Sequence, residues 1–130
     1  MNYKAILFLL CTILYGDIHV FNRSTGTETE LKTLSNTRPL YISAKDLARS
    51  FTSKIYENAE RKKIVLYISG VKVKISGNSS YIIIDEDAYQ MPEITIVRQN
   101  DLYLPAEYFL NLLKSTILPG INFDCLLYTS

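Results

Sequence analysis

Leu40-Tyr41-Ile42-Ser43-Ala44 and Leu102-Tyr103-Leu104-Pro105-Ala106 are two versions of one phrase, and each runs straight into a helix-like pattern. A β-prone run followed by a helix-start signal is a strand-to-helix corner. In the first copy Ser43 and Asp46 make an S-x-x-D start, whose hydroxyl can cap a free backbone N–H. In the second, Pro105 suits the first helical turn, where its missing N–H costs nothing. Leu47, Ala48 and Phe51 then share one helical face, as do Phe109, Leu112 and Leu113.

The residues between the corners read almost wholly as strands. Ile55-Tyr56 opens the series, and Ile64–Ile68 and Val71–Ile75 alternate around Ser69-Gly70, a two-residue hairpin turn. Ile64, Leu66 and Ile68 fall on one face with Val71, Val73 and Ile75, while Lys72 and Lys74 point the other way. Tyr81–Ile84 reads as a strand buried on both faces and ends at the acidic turn Asp85-Glu86-Asp87. Ala88–Met91 returns until Pro92 removes a ladder donor. Ile94–Val97, a turn through Asn100-Asp101, and Leu102–Leu104 complete a meander. The expected architecture is α+β: a small β-meander sheet with two short helices.

Both ends read differently. Asn2 to Lys4 give a positive start and Ala5–Tyr15 is an apolar stretch of 11 residues, well short of the roughly 20 a membrane span needs. Residues 1–16 are therefore expected to be a secretory signal peptide with a cut near Gly16, leaving an exported protein with no membrane span. Bulky Leu10 before Cys11 argues against a lipidated cysteine. Asp17 to Thr37 is polar, rich in Thr, Ser and Asn, and reads as a linker or a loose first strand. Cys125-Leu126-Leu127-Tyr128-Thr129-Ser130 matches the translation of a sequencing adapter, so residues 125–130 are expected to be non-native and the protein a fragment. Phe123-Asp124 echoes Tyr56-Glu57 after the first helix, which implies that a closing strand is missing.

Without Lys4, thirteen basic residues meet thirteen acidic ones, and nothing favours nucleic acid, whose phosphates demand clustered positive charge. Residues 17–124 hold no cysteine, so a packed core rather than disulfides must supply stability. Catalysis can be tested by counting. His19 is the only histidine, whereas catalytic zinc and copper sites draw on several His ligands, and a nucleophilic triad needs a folded His as base. No cofactor or metal ligand set is expected, and His19 reads as a solvated linker residue. Asp85, Glu86 and Asp87 are the one carboxylate cluster, and they read better as a hairpin turn than as an acid pair.

Binding is the more open possibility. Ten tyrosines accompany no tryptophan, and a tyrosine ring can stack on a sugar face while its hydroxyl hydrogen-bonds. Tyr67, with Val65, projects opposite Ile64, Leu66 and Ile68. Tyr67, Lys62, Lys63, Lys72 and Lys74 are therefore the candidate contacts to an acidic polymer or partner. Tyr56, Tyr81, Tyr103 and Tyr108 read as half-buried packing, and the lysines as either a docking patch or ordinary edge charges.

The phrases AKDLARSF, IYEN, KIVLYISGVKVKI, YIIIDEDAYQMP and DLYLPAEYFLNLL, taken in order, resemble the copper amine oxidase N-terminal-like domain over roughly Pro39 to Asp124. The most specific parts are the DLYLPAEYF corner and the IDEDAYQMP turn. Tyr41 and Ser43 depart from a corner that often contains proline. The resemblance implies a domain over 38–124 that serves as a non-catalytic stalk in exported bacterial proteins, often ahead of a peptidoglycan hydrolase. The two helices look most like versions preceding zinc-dependent N-acetylmuramoyl-L-alanine amidases, so the implied partners are peptidoglycan or another wall polymer and a missing C-terminal catalytic domain. The alternative is a self-standing secreted interaction or assembly domain. An autonomous enzyme using the acidic turn is a third reading.

Overall fold

The computed structural model describes residues 18–34, 39–51 and 53–124. In chain order the elements are β1 (Ile18–Asn22), β2 (Thr27–Leu31), β3 (Tyr41–Ser43), α1 (Ala44–Ser50), β4 (Lys54–Asn58), β5 (Lys63–Ile68) and β6 (Val71–Ser76). There follow β7 (Tyr81–Ile84), β8 (Asp87–Gln90), β9 (Ile96–Arg98), β10 (Asp101–Pro105), α2 (Ala106–Thr116) and β11 (Ile121–Asp124). The fold is α+β, as expected, and every strand pair is antiparallel.

The strands form three sheets, ordered β11-β1-β2, β3-β10-β9 and β4-β5-β6-β7-β8. The five-stranded sheet is the meander read between the corners. Its central turn has φ of 49° at Ser69 and 78° at Gly70, the positive pair that a tight type I′ hairpin requires. Asp85, at φ 59°, opens the β7–β8 turn, so the acidic cluster forms a hairpin.

The two corners meet. β3 pairs with β10 so that Leu104 lies opposite Ile42, Tyr103 opposite Ser43, and Pro105 opposite Tyr41. In the repeated phrase Leu104 is the counterpart of Ile42, so the two copies are related by a local twofold axis through that pair. Ala106 N–H donates to the Leu40 carbonyl at 2.8 Å and closes the junction. Ser43 caps α1 by accepting from Asp46 N–H, as the S-x-x-D start predicts. Pro105 stands at the N-cap of α2, one residue ahead of its expected place.

One cluster of buried side chains joins all three sheets and both helices. Ile42, Leu47, Leu66, Ile75, Ile82, Leu104, Phe109 and Leu113 are wholly buried within it. Several sequence readings are corrected here. Residues 18–31, read as a linker or a loose first strand, form a two-stranded hairpin: Ile18, Val20 and Leu31 are buried in the common core, so the folded unit begins upstream of residue 38. Each such burial stabilises by about 1.5–3 kcal/mol, enough to order a polar hairpin. Ile18 and Val20 alternate over one short strand and Leu31 stands alone on the next, among Thr, Ser and Asn, which left too faint a pattern to read. Tyr81–Ile84 is buried on one face only, because Tyr81 is exposed and Ile83 half-exposed. Ile94 and Thr95 lie outside β9, where the Ile94 carbonyl accepts from Tyr41, Thr95 N–H donates to Ser79 and the Thr95 carbonyl accepts from Asn78 N–H in place of a ladder.

The expected signal peptide (residues 1–16) and adapter-derived tail (125–130) lie outside the described residues, as does any strand after Asp124. Among the described residues no helix is long and apolar enough to cross a membrane. β11 occupies after α2 the place that β4 occupies after α1, which accounts for the echo between Phe123-Asp124 and Tyr56-Glu57.

Candidate functional site

The five-stranded sheet buries one face and leaves the other open. Ile55, Ile64, Leu66, Ile68, Val73, Ile75, Ile82 and Ile84 point inward. Alternation then sends Lys54, Tyr56, Lys63, Val65, Tyr67, Lys72, Lys74, Tyr81 and Ile83 outward. Val65, Tyr67 and Ile83 are half-buried by their neighbours but take no part in the core.

The register arranges these residues in rows across the strands. Tyr67 lies between Lys54 and Lys72. The next row runs Tyr56, Val65, Lys74, Ile83, Ala88. The row after that holds Asn58, Lys63 and Ser76. Side chains directly opposite one another sit about 5 Å apart at Cβ, so each row is a line of contacts. Tyr56 and Tyr67, diagonal neighbours, meet edge to face with ring centroids 5.8 Å apart and planes at 83°. Ser53 Oγ fixes the start of this strand pair by accepting from Tyr67 N–H at 2.9 Å.

Four of the five sequence candidates, Lys63, Tyr67, Lys72 and Lys74, therefore share this face. Lys62 does not belong to a strand: it sits in the β4–β5 turn at φ 54°, and its carbonyl accepts from Gly77 N–H. Lys54, Tyr56 and Tyr81 were missed as members of the face. The expectation of half-burial is corrected for Tyr56 and Tyr81, which are 59% and 53% exposed. β4 is short and holds one core residue, Ile55, so its facing could not be read before its register with β5 was known.

On the strands, charge on this face is of one sign, and the acidic turn adjoins its end, where Asp85 N–H donates to the Lys72 carbonyl at 2.8 Å. Lys54, Lys63, Lys72 and Lys74 form no ion pair among the described residues. The carboxylates on strands of the sheet, Glu57 and Asp87, lie on the opposite side, across from Ile64 and Ile84. Glu57 is held there by Lys45 Nζ at 3.1 Å.

Polar groups elsewhere serve the frame. Asp46 accepts from Arg49 at 2.6 Å and from Lys32 N–H at 2.8 Å, tying α1 to the segment after β2. Asp101 accepts from the Ser43 hydroxyl and from the N–H groups of Lys45 and Leu102. Burial, followed by Asp101 and Asp46, raises the pKa of Tyr103 above the usual tyrosine value. Burial and Glu93 do the same for Tyr41, whose hydroxyl donates to the Ile94 carbonyl at 2.9 Å. His19 is corrected from a solvated linker residue to a member of β1, its ring nitrogens 3.8 Å from Glu28 and 3.7 Å from Glu30. Among the described residues, no group of three or more His, Cys, Asp or Glu side chains is placed to hold a metal ion.

A concavity of about 420 Å³ lies between Pro39, Pro92, Glu93, Pro105, Glu107 and Tyr108 beside the second corner. It is wide and shallow, and the Tyr108 hydroxyl on its rim donates to the Gln90 carbonyl.

Neither the curated proteins nor the solved structures include a significant match to this chain. The copper amine oxidase N-terminal domain model matches residues 22–118, from the end of β1 to the residues just after α2. That match spans most of the chain and includes both corners and the whole meander, and it starts upstream of the boundary read from sequence. The chain belongs to the copper amine oxidase N-terminal domain family.

Proposed function

We propose that the protein is an exported, cell-wall-associated stalk module whose parent is a peptidoglycan hydrolase of the N-acetylmuramoyl-L-alanine amidase type. The family match over residues 22–118 carries this reading, because the N-terminal domain of this family is a non-catalytic module. The apolar run Ala5–Tyr15 behind Lys4 supports export. The chemistry of the chain agrees: one histidine, set between two glutamates, is a poor start for a hydrolytic metal centre.

The test is the coding sequence of the source locus beyond codon 124, together with binding of the purified protein to isolated sacculi. A frame that continues into a His- and Glu-rich amidase pattern supports the parentage, and a native stop removes it. Sedimentation with sacculi supports wall association, and a protein that stays in the supernatant overturns it.

One observation favours a second reading, a self-standing assembly domain. β4 is an edge of the five-stranded sheet and four of its five residues are exposed, which leaves a row of unpaired backbone groups available to another strand. That reading predicts a concentration-dependent dimer abolished by Glu57→Pro, because the Glu57 N–H faces the free edge whereas that of Tyr56 is turned to β5.

A further inference from the structure

We propose that the open face of the five-stranded sheet binds an acidic glycan, a sugar chain bearing carboxylates at intervals of about a disaccharide. The proposal rests on the wall-associated reading above and names the chemistry such a module would hold.

Charge selects the sign of the ligand. A merely solvated sheet face gains from opposite charges placed across strands, and soluble surfaces intersperse the two signs. This face does the reverse. On the strands Lys54, Lys63, Lys72 and Lys74 have no carboxylate among them, since Glu57 and Asp87 of the same sheet are turned to the other side, and only the acidic turn adjoins them, at Lys72. Mutual repulsion of four unpaired ammonium groups is relieved by an anionic partner.

The aromatic and apolar groups select the rest of the ligand. Tyr56 and Tyr67 meet edge to face outside the core, with Val65 between Tyr56 and Lys74 in the row beneath and Tyr81 exposed beyond. Such rings offer a flat apolar surface to the C–H face of a pyranose and a hydroxyl to its rim. A polyanion without rings would leave that surface uncovered.

Spacing points the same way. Lys54 and Lys72 flank Tyr67 on adjacent strands, so their backbones stand two strand spacings apart, about 10 Å. That is the length of a disaccharide, with the ring of Tyr67 midway. Nucleic acid phosphates are set far more densely, about one charge per 1.7 Å along a duplex, and four lysines among acidic turns match them poorly.

The experiment is calorimetry on the purified chain with hyaluronan oligosaccharides, which carry one carboxylate per disaccharide. Poly-L-glutamate, chitin oligosaccharides and single-stranded RNA are the comparison probes, and sacculi sedimentation runs in parallel. The expected result is binding to hyaluronan that weakens as salt is raised, with little affinity for the neutral or ring-free polymers. Tyr67→Ala lowers that affinity about tenfold and Tyr67→Phe leaves it within about twofold, since the ring face carries the contact. Lys54→Ala and Lys72→Ala each weaken it about fivefold and flatten the salt dependence. Circular dichroism of each variant establishes that these surface changes leave the fold intact. Equal binding of poly-L-glutamate, tighter binding of RNA, or indifference to Tyr67→Ala overturns the proposal. Sedimentation with sacculi but no affinity for hyaluronan overturns it while the wall-associated reading stands; failure of both removes the two together.

Discussion

The Ser43 hydroxyl donates to a carboxylate oxygen of Asp101, a residue 58 positions further along the chain. The same hydroxyl accepts from Asp46 N–H at 3.0 Å, so one side chain caps α1 and fastens the first corner to the second. Ser43→Ala removes both bonds at a nearly buried site and is expected to cost about 2–3 kcal/mol. Denaturant melts of the two single variants and of Ser43→Ala with Asp101→Ala check it, with a coupling energy of at least about 0.5 kcal/mol expected.

Gly77 follows β6, and a Cβ there would run into Val97 Cγ2 and crowd Leu102 Cδ2 and Lys62 Cβ at 3.2 Å each. The glycine is needed for close approach rather than for its backbone angle. Gly77→Ala should destabilise by about 1–3 kcal/mol, and pairing it with Val97→Ala should recover part of the loss by removing the nearest obstacle. Thermal melts of the three proteins measure this.

Thr95 is wholly buried, and its hydroxyl has no hydrogen-bond partner among the described residues. Thr95→Val keeps the shape and removes the stranded polar group. A gain of about 1 kcal/mol in unfolding free energy is expected, and a loss would mean that the hydroxyl is satisfied in solution.

Tyr41 and Tyr103 have pKa values raised from the ordinary 10.0, chiefly by burial. For an acid of this kind the folded state prefers the neutral phenol. Its contribution is complete below pH 10 and fades as pH climbs from there through the raised folded value. Stability should therefore fall on the alkaline side of pH 10, and Tyr103→Phe should soften that fall. Tyr41→Phe should soften it too while costing about 1 kcal/mol at neutral pH, the worth of the bond to Ile94. Unfolding free energies measured between pH 8 and about 11.5 separate the two effects.

Leu31 ends the N-terminal hairpin and is wholly buried. Leu31→Ala is expected to lower stability of the whole unit by about 2–5 kcal/mol in a single cooperative transition. A separate early transition of the hairpin would show instead that residues 18–31 are only loosely attached.

The sequence was most legible where the chain obeys one strong period. Alternation in β5 and β6 placed Lys72 and Lys74 opposite Val71, Val73 and Ile75, and Ser69-Gly70 announced its turn, because both signals are local. The repeated corner announced two strand-to-helix junctions but not that they pair with each other, which depends on residues far apart in the chain. The hairpin of β1 and β2 stayed hidden because Ile18, Val20 and Leu31 acquire meaning only beside Ile121 and the common core. The open face was half visible for a related reason. Tyr67 could be assigned to it from its own strand, whereas Tyr56 and Lys54 depend on the register of β4 with β5.

The local twofold through Ile42 and Leu104 means that the centre of this single chain is built like an isologous dimer interface, each surface complementary to its own duplicate. An interface of that kind does not distinguish the corner supplied by its own chain from the same corner of a neighbour. If α1 and α2 swing apart at high concentration, the strand carrying Leu104 can close on Ile42 of a second molecule with every pairing conserved, and the product is a domain-swapped dimer rather than an aggregate.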